Sequence, residues 1–383
     1  MTFDVAALRR DEFPWAERGE SIYLNNASTG PLPERTVRAL AEWGRLRANP
    51  DRISHDLQFD TLTRSRALIA GLIGADSSEI ALATNTSFGI NLAAFSLPLR
   101  QGDVVLSPQL EFPANVYPWM QLAARRGVEY RQVQCDDGVL DRERLARELE
   151  DERVRVVTVS WVQFASGARV DLTALGTLCR ERGVYFVVDA IQGLGPLTLD
   201  LKTTPVDILA CGAQKWLLSP WGAAFVYVRR ALIEQLEPHD VSWLAVQDSD
   251  DFSRLLDYDL KWRNDARRFE FITLPFQDMA GMNASLELFA SLGKDAVSRH
   301  TLGLAAEIIE WARSRDDVEL VTPDDRARRA AIISVKPSDP MAASQRLTAA
   351  GVAHSLREGA IRLSPHFYNT SAEVRRALDV IAR

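Results

Sequence analysis

The chain has 383 residues, 46% hydrophobic and 25% charged, a globular composition long enough for one large domain and one smaller one. Its 45 Lys+Arg stand against 52 Asp+Glu, and the net −7 offers no basic footprint for nucleic acid or for an anionic membrane, so a small polar metabolite is the expected partner. Cys135, Cys179 and Cys211 form neither a CxxC pair nor a disulfide framework, no signal-peptide pattern opens the chain and no apolar run is long enough to span a membrane, which together point to the cytoplasm.

Residues 1–20 carry a short helix closing at Pro14, followed by a polar, small-residue loop, YLNNASTGPLP, from Tyr23 to Pro33. Helical spacing then runs from Glu34 to Ala48 and, after the polar turn NPDRISH, from Phe59 to Ile73. From Glu79 the pattern becomes an alternation. EIALATN, VVLSP, VEYRQVQ, VRVVTVSWV and the strands at Val184, Ile208 and Ala223 are separated by helical segments, which argues for a mostly parallel sheet with right-handed crossovers. The helix after EIALATN starts at Thr86, with Thr86 or Ser87 as its N-cap; free N–H groups and hydroxyls there suit a phosphate as well as an ordinary cap. Past an acidic excursion at Gln247–Asp259, PFQDMAGMNASLELFASLG reads as a helix bridging to a second unit. A helix from Lys294, three short strands (VELVTP, AIISVKP, AIRLSP) and two further helices make that unit α+β, its last helix opened by a capping box of Thr370 and Glu373.

Two stretches carry chemistry. YFVVDAIQ puts Asp189 at the end of a strand, the edge where open α/β sheets bind ligands. DILACGAQKWLLSPWG puts Lys215 just past an apolar strand, where an ammonium costs several kcal/mol unless its pKa falls or the amine is masked as a Schiff base. A strand-end aspartate also reads as a cap and such a lysine as a snorkelling side chain. Pyridoxal phosphate needs both groups, an amine for its aldehyde and a carboxylate facing its pyridinium nitrogen.

YLNNASTGPLP, TNTSFGIN, EFPANVYPW, VDAIQG, GAQKW and RLSPHFYN occur in an order that resembles the class V aminotransferase superfamily of fold-type I pyridoxal-phosphate enzymes, which includes cysteine desulfurases, kynureninases and isopenicillin-N-epimerase-like proteins. The resemblance implies a homodimer whose subunit has an N-terminal segment (1–20), a large cofactor-binding α/β domain with a mostly parallel sheet (21–260) and a small C-terminal α+β domain (261–383). It implies that Lys215 is the aldimine lysine and Asp189 the pyridinium partner, both catalytic, and that Gln192 bonds the ring hydroxyl. Thr86, Ser87 and Gln214 would hold the phosphate, Phe112 would stack on the ring, and Thr273 in RRFEFIT would reach the neighbouring subunit's phosphate, although Ile272 stands where glycine is usual. Arg362 would hold the substrate's α-carboxylate, with Asn26 and His55 lining the pocket; His366 fits either a pocket wall or a structural role.

Two departures refine this expectation. No cysteine follows Cys211, so a nucleophilic cysteine on the small domain is lacking and a Cys-dependent desulfurase is not expected. Phe164 stands where desulfurases have asparagine, which favours the epimerase-like and kynureninase-like branch. The expected function is action on an amino acid through an external aldimine, by transamination or Cβ-elimination. The alternatives are epimerisation, or a catalytically silent regulatory protein that binds pyridoxal phosphate. No GxSxG, HExxH or Walker loop suggests other chemistry or a metal.

Overall fold

The computed structural model describes residues 3–135 and 138–383. The alternation that begins near residue 80 winds into a seven-stranded sheet. In chain order its strands are β1 (Ile80–Ala83), β2 (Val104–Pro108), β3 (Glu129–Val133), β4 (Val154–Ser160), β5 (Tyr185–Asp189), β6 (Ile208–Gly212) and β7 (Ala224–Val228). They lie side by side as β1-β7-β6-β5-β4-β2-β3, with β7 alone antiparallel to its neighbours. Nearly every residue of β4 to β7 is buried, because helices cover both faces; that is why these strands are apolar runs rather than alternating patterns. The carboxyl ends of β4, β5 and β6 meet at one edge, where Ser160 pairs with Asp189 and Asp189 with Ala210.

The helix Thr86–Ser96 lies across β6 and β7, and Gly89 sets how close it comes. A Cβ at Gly89 would sit 2.6 Å from the Ala210 Cβ and 2.8 Å from Val226. The N-cap of this helix is Asn85, whose side chain accepts from the Phe88 N–H, and neither Thr86 nor Ser87 as the sequence reading had it. Thr86 is instead turned inward, its hydroxyl accepting from the Gly212 N–H at the end of β6.

The helix Phe276–Leu292 packs against Glu34–Ala48 and against His55–Ile73, which starts four residues before the expected Phe59 because Ser54 caps it. Beyond Lys294–Arg313, four antiparallel strands lie in the order Ser355–Arg357, Ala360–Leu363, Ile333–Pro337, Val318–Leu320, flanked by Pro340–Ala349 and Ser371–Ile381. Ser355–Arg357 was not foreseen, being too short to show a period, whereas the Thr370 and Glu373 capping box forms as expected. The start of the chain is tied to its end. Ile22–Tyr23 pairs in parallel with Val352–Ala353, Asn25 bridges to Ser364, and Arg9 forms a 2.9 Å ion pair with Glu373. The structure thus matches the expected fold class, a mostly parallel α/β sheet with an α+β C-terminal region.

The two glycines Gly89 and Gly71 should respond oppositely to alanine. At Gly89 overpacking costs about 1–3 kcal/mol, which outweighs a helix-propensity gain of about 1 kcal/mol. Nothing lies within 4 Å of a Cβ at the exposed, helical Gly71. Urea denaturation should show a lower midpoint for Gly89→Ala and a higher one for Gly71→Ala.

Candidate active site

A cavity of about 210 Å³ opens at the shared edge of β4, β5 and β6. Seven of the residues singled out in the sequence line it: Thr86, Ser87, Phe112, Asp189, Gln192, Gln214 and Lys215. Lys215 arrives there because the turn after β6 is threaded under the N-terminal loop. Gly30 donates its N–H to the Gln214 carbonyl at 2.9 Å, and a Cβ on Gly30 would meet the Lys215 carbonyl oxygen at 2.0 Å, so only glycine fits.

The electrostatics centre on two groups. Burial pushes the Lys215 ammonium down to about 8, opposed by attraction to Asp189 and assisted by repulsion from Arg362. Burial also pushes the Asp189 carboxyl up to about 6, opposed by the Ile191 N–H, which it accepts at 3.0 Å, and by Lys215. The Lys215 amine stands 5.7 Å from the centre of the Phe112 ring, and Phe112 meets Phe164 edge-on at 5.3 Å. Gln192 is pinned from both ends, its amide donating to the Ala27 carbonyl and its oxygen accepting from the Trp216 indole.

Arg362 is buried behind Phe164. One terminal nitrogen donates to the Phe164 carbonyl at 2.7 Å and the other to the Ser28 hydroxyl at 2.8 Å, while its Nε is buried with no partner. Burial brings its pKa down to about 10. Arg362 is thus not among the residues that line the cavity, and the other three candidates also lie outside it. Asn26 is fully buried, donating to the Ser364 carbonyl and accepting from the Tyr368 hydroxyl, and so joins the N-terminal loop to the C-terminal strands. His55 is exposed at a helix start and stacks on Phe252 at 4.4 Å. Thr273 is exposed and outside the cavity. His366 is buried, its ring bonded to the Trp216 carbonyl and to the Phe367 N–H, and burial drives it down to about 3, a neutral structural imidazole. Sequence reasoning passed over Ser160, Glu111 and Ser28; a serine at a strand end and a glutamate directly before Phe112 were the available signals.

The residues present suit a phosphorylated pyridine aldehyde. Among the described residues no side chain is hydrogen-bonded to the buried Asp189 carboxylate. A Cβ at Gly212 would meet the Gln214 side-chain oxygen at 2.5 Å and the Thr86 hydroxyl at 3.1 Å, so that glycine keeps the floor under the helix start open. The Thr86–Ser96 helix aims its N-terminus at the same cavity, and a helix N-terminus favours a phosphate.

Residues 22–377 match the family described as aminotransferase class-V. A probable cysteine desulfurase of Methanothermobacter thermautotrophicus is 31% identical, covering 93% of this chain and 92% of the relative. The isopenicillin N epimerase of Streptomyces clavuligerus is 28% identical over 94% of each. Among solved structures, an apo cysteine desulfurase from Thermococcus onnurineus superposes with a TM-score of 0.87 at 24% identity, covering 99% of this chain and 98% of that one. A C-DES mutant with glycine covalently linked to its PLP cofactor superposes at 0.88 and 22%, covering 98% of both. These likenesses correct one expectation. The sequence reading set this chain apart from the Cys-dependent desulfurases on the lack of a late cysteine, yet relatives named as desulfurases match it nearly end to end. One missing thiol on one loop is a local difference, and it does not outweigh a likeness carried by the whole fold.

The low pKa of Lys215 sets a pH dependence. Only the neutral amine attacks an aldehyde, so covalent capture of pyridoxal phosphate by the apo-protein, trapped with borohydride and mapped to Lys215 by mass spectrometry, should rise through pH of about 8, below the ordinary lysine value of 10.5. Because Asp189 holds the ammonium charged, Asp189→Asn should move that midpoint lower still. A midpoint above 10, or an adduct on Lys202 or Lys261, would reject the assignment.

Proposed function

The chain belongs to the class-V aminotransferase family, and from that premise we propose that it uses its pyridoxal 5'-phosphate to break the Cβ–S bond of a cysteine-type α-amino acid. The observation that carries the reading is the convergence, on one cavity edge, of a lysine at about 8 and a buried carboxylate at about 6, with an arginine of unpartnered Nε held behind the cavity-lining Phe164 and close enough to repel the lysine's charge. When bound, the cofactor supplies a carbonyl carbon for amines and a ring that draws electrons from the substrate's Cα.

The side chains do the rest. Lys215 Nζ, partly neutral near pH 8, accepts the Cα proton and can return it. Asp189 presents a negative charge to a pyridinium nitrogen. Arg362, oriented by Ser28 and the Phe164 carbonyl, offers its guanidinium to the α-carboxylate. Thr86, Ser87 and Gln214 are the proposed phosphate ligands, and Gln192 keeps one amide hydrogen for the ring hydroxyl. Phe112 and Phe164 wall the cavity with aromatic surface that suits sulfur better than a hydrophilic side chain. As the Cα proton leaves, its electron pair forms the Cα–Cβ double bond while Cβ–S breaks and sulfur departs with its pair. The relatives' desulfurase names support sulfur as the leaving atom. Epimerisation is the second reading, favoured by the epimerase relative, and needs only that the proton return to the other face.

We further propose a homodimer in which the exposed Thr273 serves the second copy's cavity, with residues 21–260 as the cofactor domain and 261–383 as the smaller one. Phe271, Leu256, Tyr258 and Trp221, all exposed, are consistent with a covered surface there.

The deciding experiment is a panel of amino acids incubated with the holoenzyme. Cysteine or cystine should yield sulfide or persulfide with pyruvate; keto-acid exchange or racemisation without any sulfur product would reject the reading. Arg362→Ala should weaken amino-acid capture by about one to two orders of magnitude, the worth of a charge-assisted bond of roughly 1.5–3 kcal/mol, with cofactor absorption unchanged. Cysteine should lose much more than its decarboxylated analogue cysteamine. Equal losses would place the carboxylate elsewhere.

A further inference from the structure

Directly before Phe112 lies a buried carboxylate that the chemistry above leaves unused. Glu111 sits in the loop between β2 and the helix Tyr117–Arg126 and is 7% exposed. One of its oxygens accepts from the Ser160 N–H at 2.7 Å and from Gln163 Nε2 at 3.2 Å; the other accepts from Asn115 Nδ2 at 3.1 Å and from the Ser160 hydroxyl. Three of these donors have fixed orientation. The Asn115 oxygen is taken by the Thr158 hydroxyl at 2.6 Å, which leaves its nitrogen for Glu111, and Gln163 Nε2 also donates to the Gly138 carbonyl at 2.9 Å. The third is a backbone N–H. Only the Ser160 hydroxyl can rotate.

That rotatable partner is the one that reaches the cavity. Ser160 ends β4, pairs with Asp189 in the ladder and lines the same cavity as Lys215. The titratable neighbours are Asp189 from β5 and Tyr130 from β3, whose hydroxyl is bonded to Ser107 at 2.7 Å; Glu111 makes no ion pair among the described residues. Burial pushes the Glu111 carboxyl up to about 7, its donors pull it back and the charge of Asp189 adds to the rise, so it is protonated below that pH and ionised above it.

We propose that Glu111 is a positioning residue that acts on the cofactor site through Ser160, reversing the hydrogen bond between them as it gains or loses a proton. Ionised, Glu111 accepts the serine O–H and leaves only lone-pair density facing the cavity. Protonated, it donates to the serine oxygen, and the displaced serine hydrogen turns into the cavity as a donor. One proton is added and no covalent bond elsewhere changes. The inference rests on pyridoxal phosphate occupying this cavity.

The test follows the reconstituted holoenzyme across pH by infrared difference spectroscopy, which sees the carboxylic acid, and by the absorption of the bound cofactor, which sees the site. Wild type should show both a carboxylic-acid band and a cofactor response with a midpoint near 7. Glu111→Gln should lose both. Ser160→Ala should keep the acid band, its midpoint raised because the anion has lost a donor, and lose the cofactor response. The Ser160→Ala arm also stands where Glu111→Gln does not fold. No acid band in wild type, or a cofactor response near 7 that survives in Ser160→Ala, would overturn the proposal. A purely structural role would lower thermal stability in the variants and leave the pH response in place, which also overturns it. Failure of wild type to bind pyridoxal phosphate would instead remove the cofactor reading itself, a separate and visible outcome.

Discussion

Two groups of opposite charge face one small cavity from the ends of neighbouring segments, and burial drives both toward neutrality: Lys215 down to about 8 and Asp189 up to about 6. Lys215 is stabilised as an ion mainly by Asp189, and Asp189 by the Ile191 N–H and by Lys215, an arrangement that is poor for stability. The surrounding fold holds them there regardless. Parallel strands β5 and β6 deliver the carboxylate and the start of the lysine turn to one edge, Gly30 lets the N-terminal loop press on the Lys215 carbonyl, and the Trp216 side chain and carbonyl are held by Gln192 and His366. A pair of shifted groups in a cleft is the usual mark of a site built for proton movement rather than for folding.

The core of this site was legible because its signals are local. Asp189 and Lys215 each end an apolar strand, and a charge there is conspicuous in one dimension. Phe112, Gln192 and Gln214 were named through the family resemblance, and Thr86 and Ser87 also as a helix start; all five follow within a few residues of strand ends, and the fold brings them to one cavity. Reading Thr86 as a cap failed for a related reason: Asn85, Thr86 and Ser87 are all competent caps, and only the inward contact with Gly212 decides which one turns away. Ser160 and Glu111 were passed over because their local signals are weak and what links the two is a contact between segments 49 residues apart. Asn26 and His55 stand in polar turns, where a pocket residue and a structural one have the same appearance in sequence; in the fold Asn26 ties two segments together and His55 stacks on Phe252.

Cysteine count misled for a different physical reason. Cys179 and Cys211 are buried, and burial raises both thiols, so neither exposes a ready thiolate. Their inertness describes the buried interior, whereas the likeness to relatives named as desulfurases runs along nearly the whole chain. A missing functional group on one loop and a preserved scaffold are separate facts with separate weights.

The pairing of Ile22–Tyr23 with Val352–Ala353, and of Asn25 with Ser364, has a bearing on how the molecule comes into being on the ribosome. The residues that line the cavity have all emerged once Lys215 and strand β7 are out of the exit tunnel, but the strand that carries Arg362 is translated far later and docks onto the first loop of the chain. Contacts of such long sequence separation form late because their loop-closure entropy must be met first. A nascent subunit can therefore complete the cavity edge around Lys215 before the strand that carries Arg362 exists.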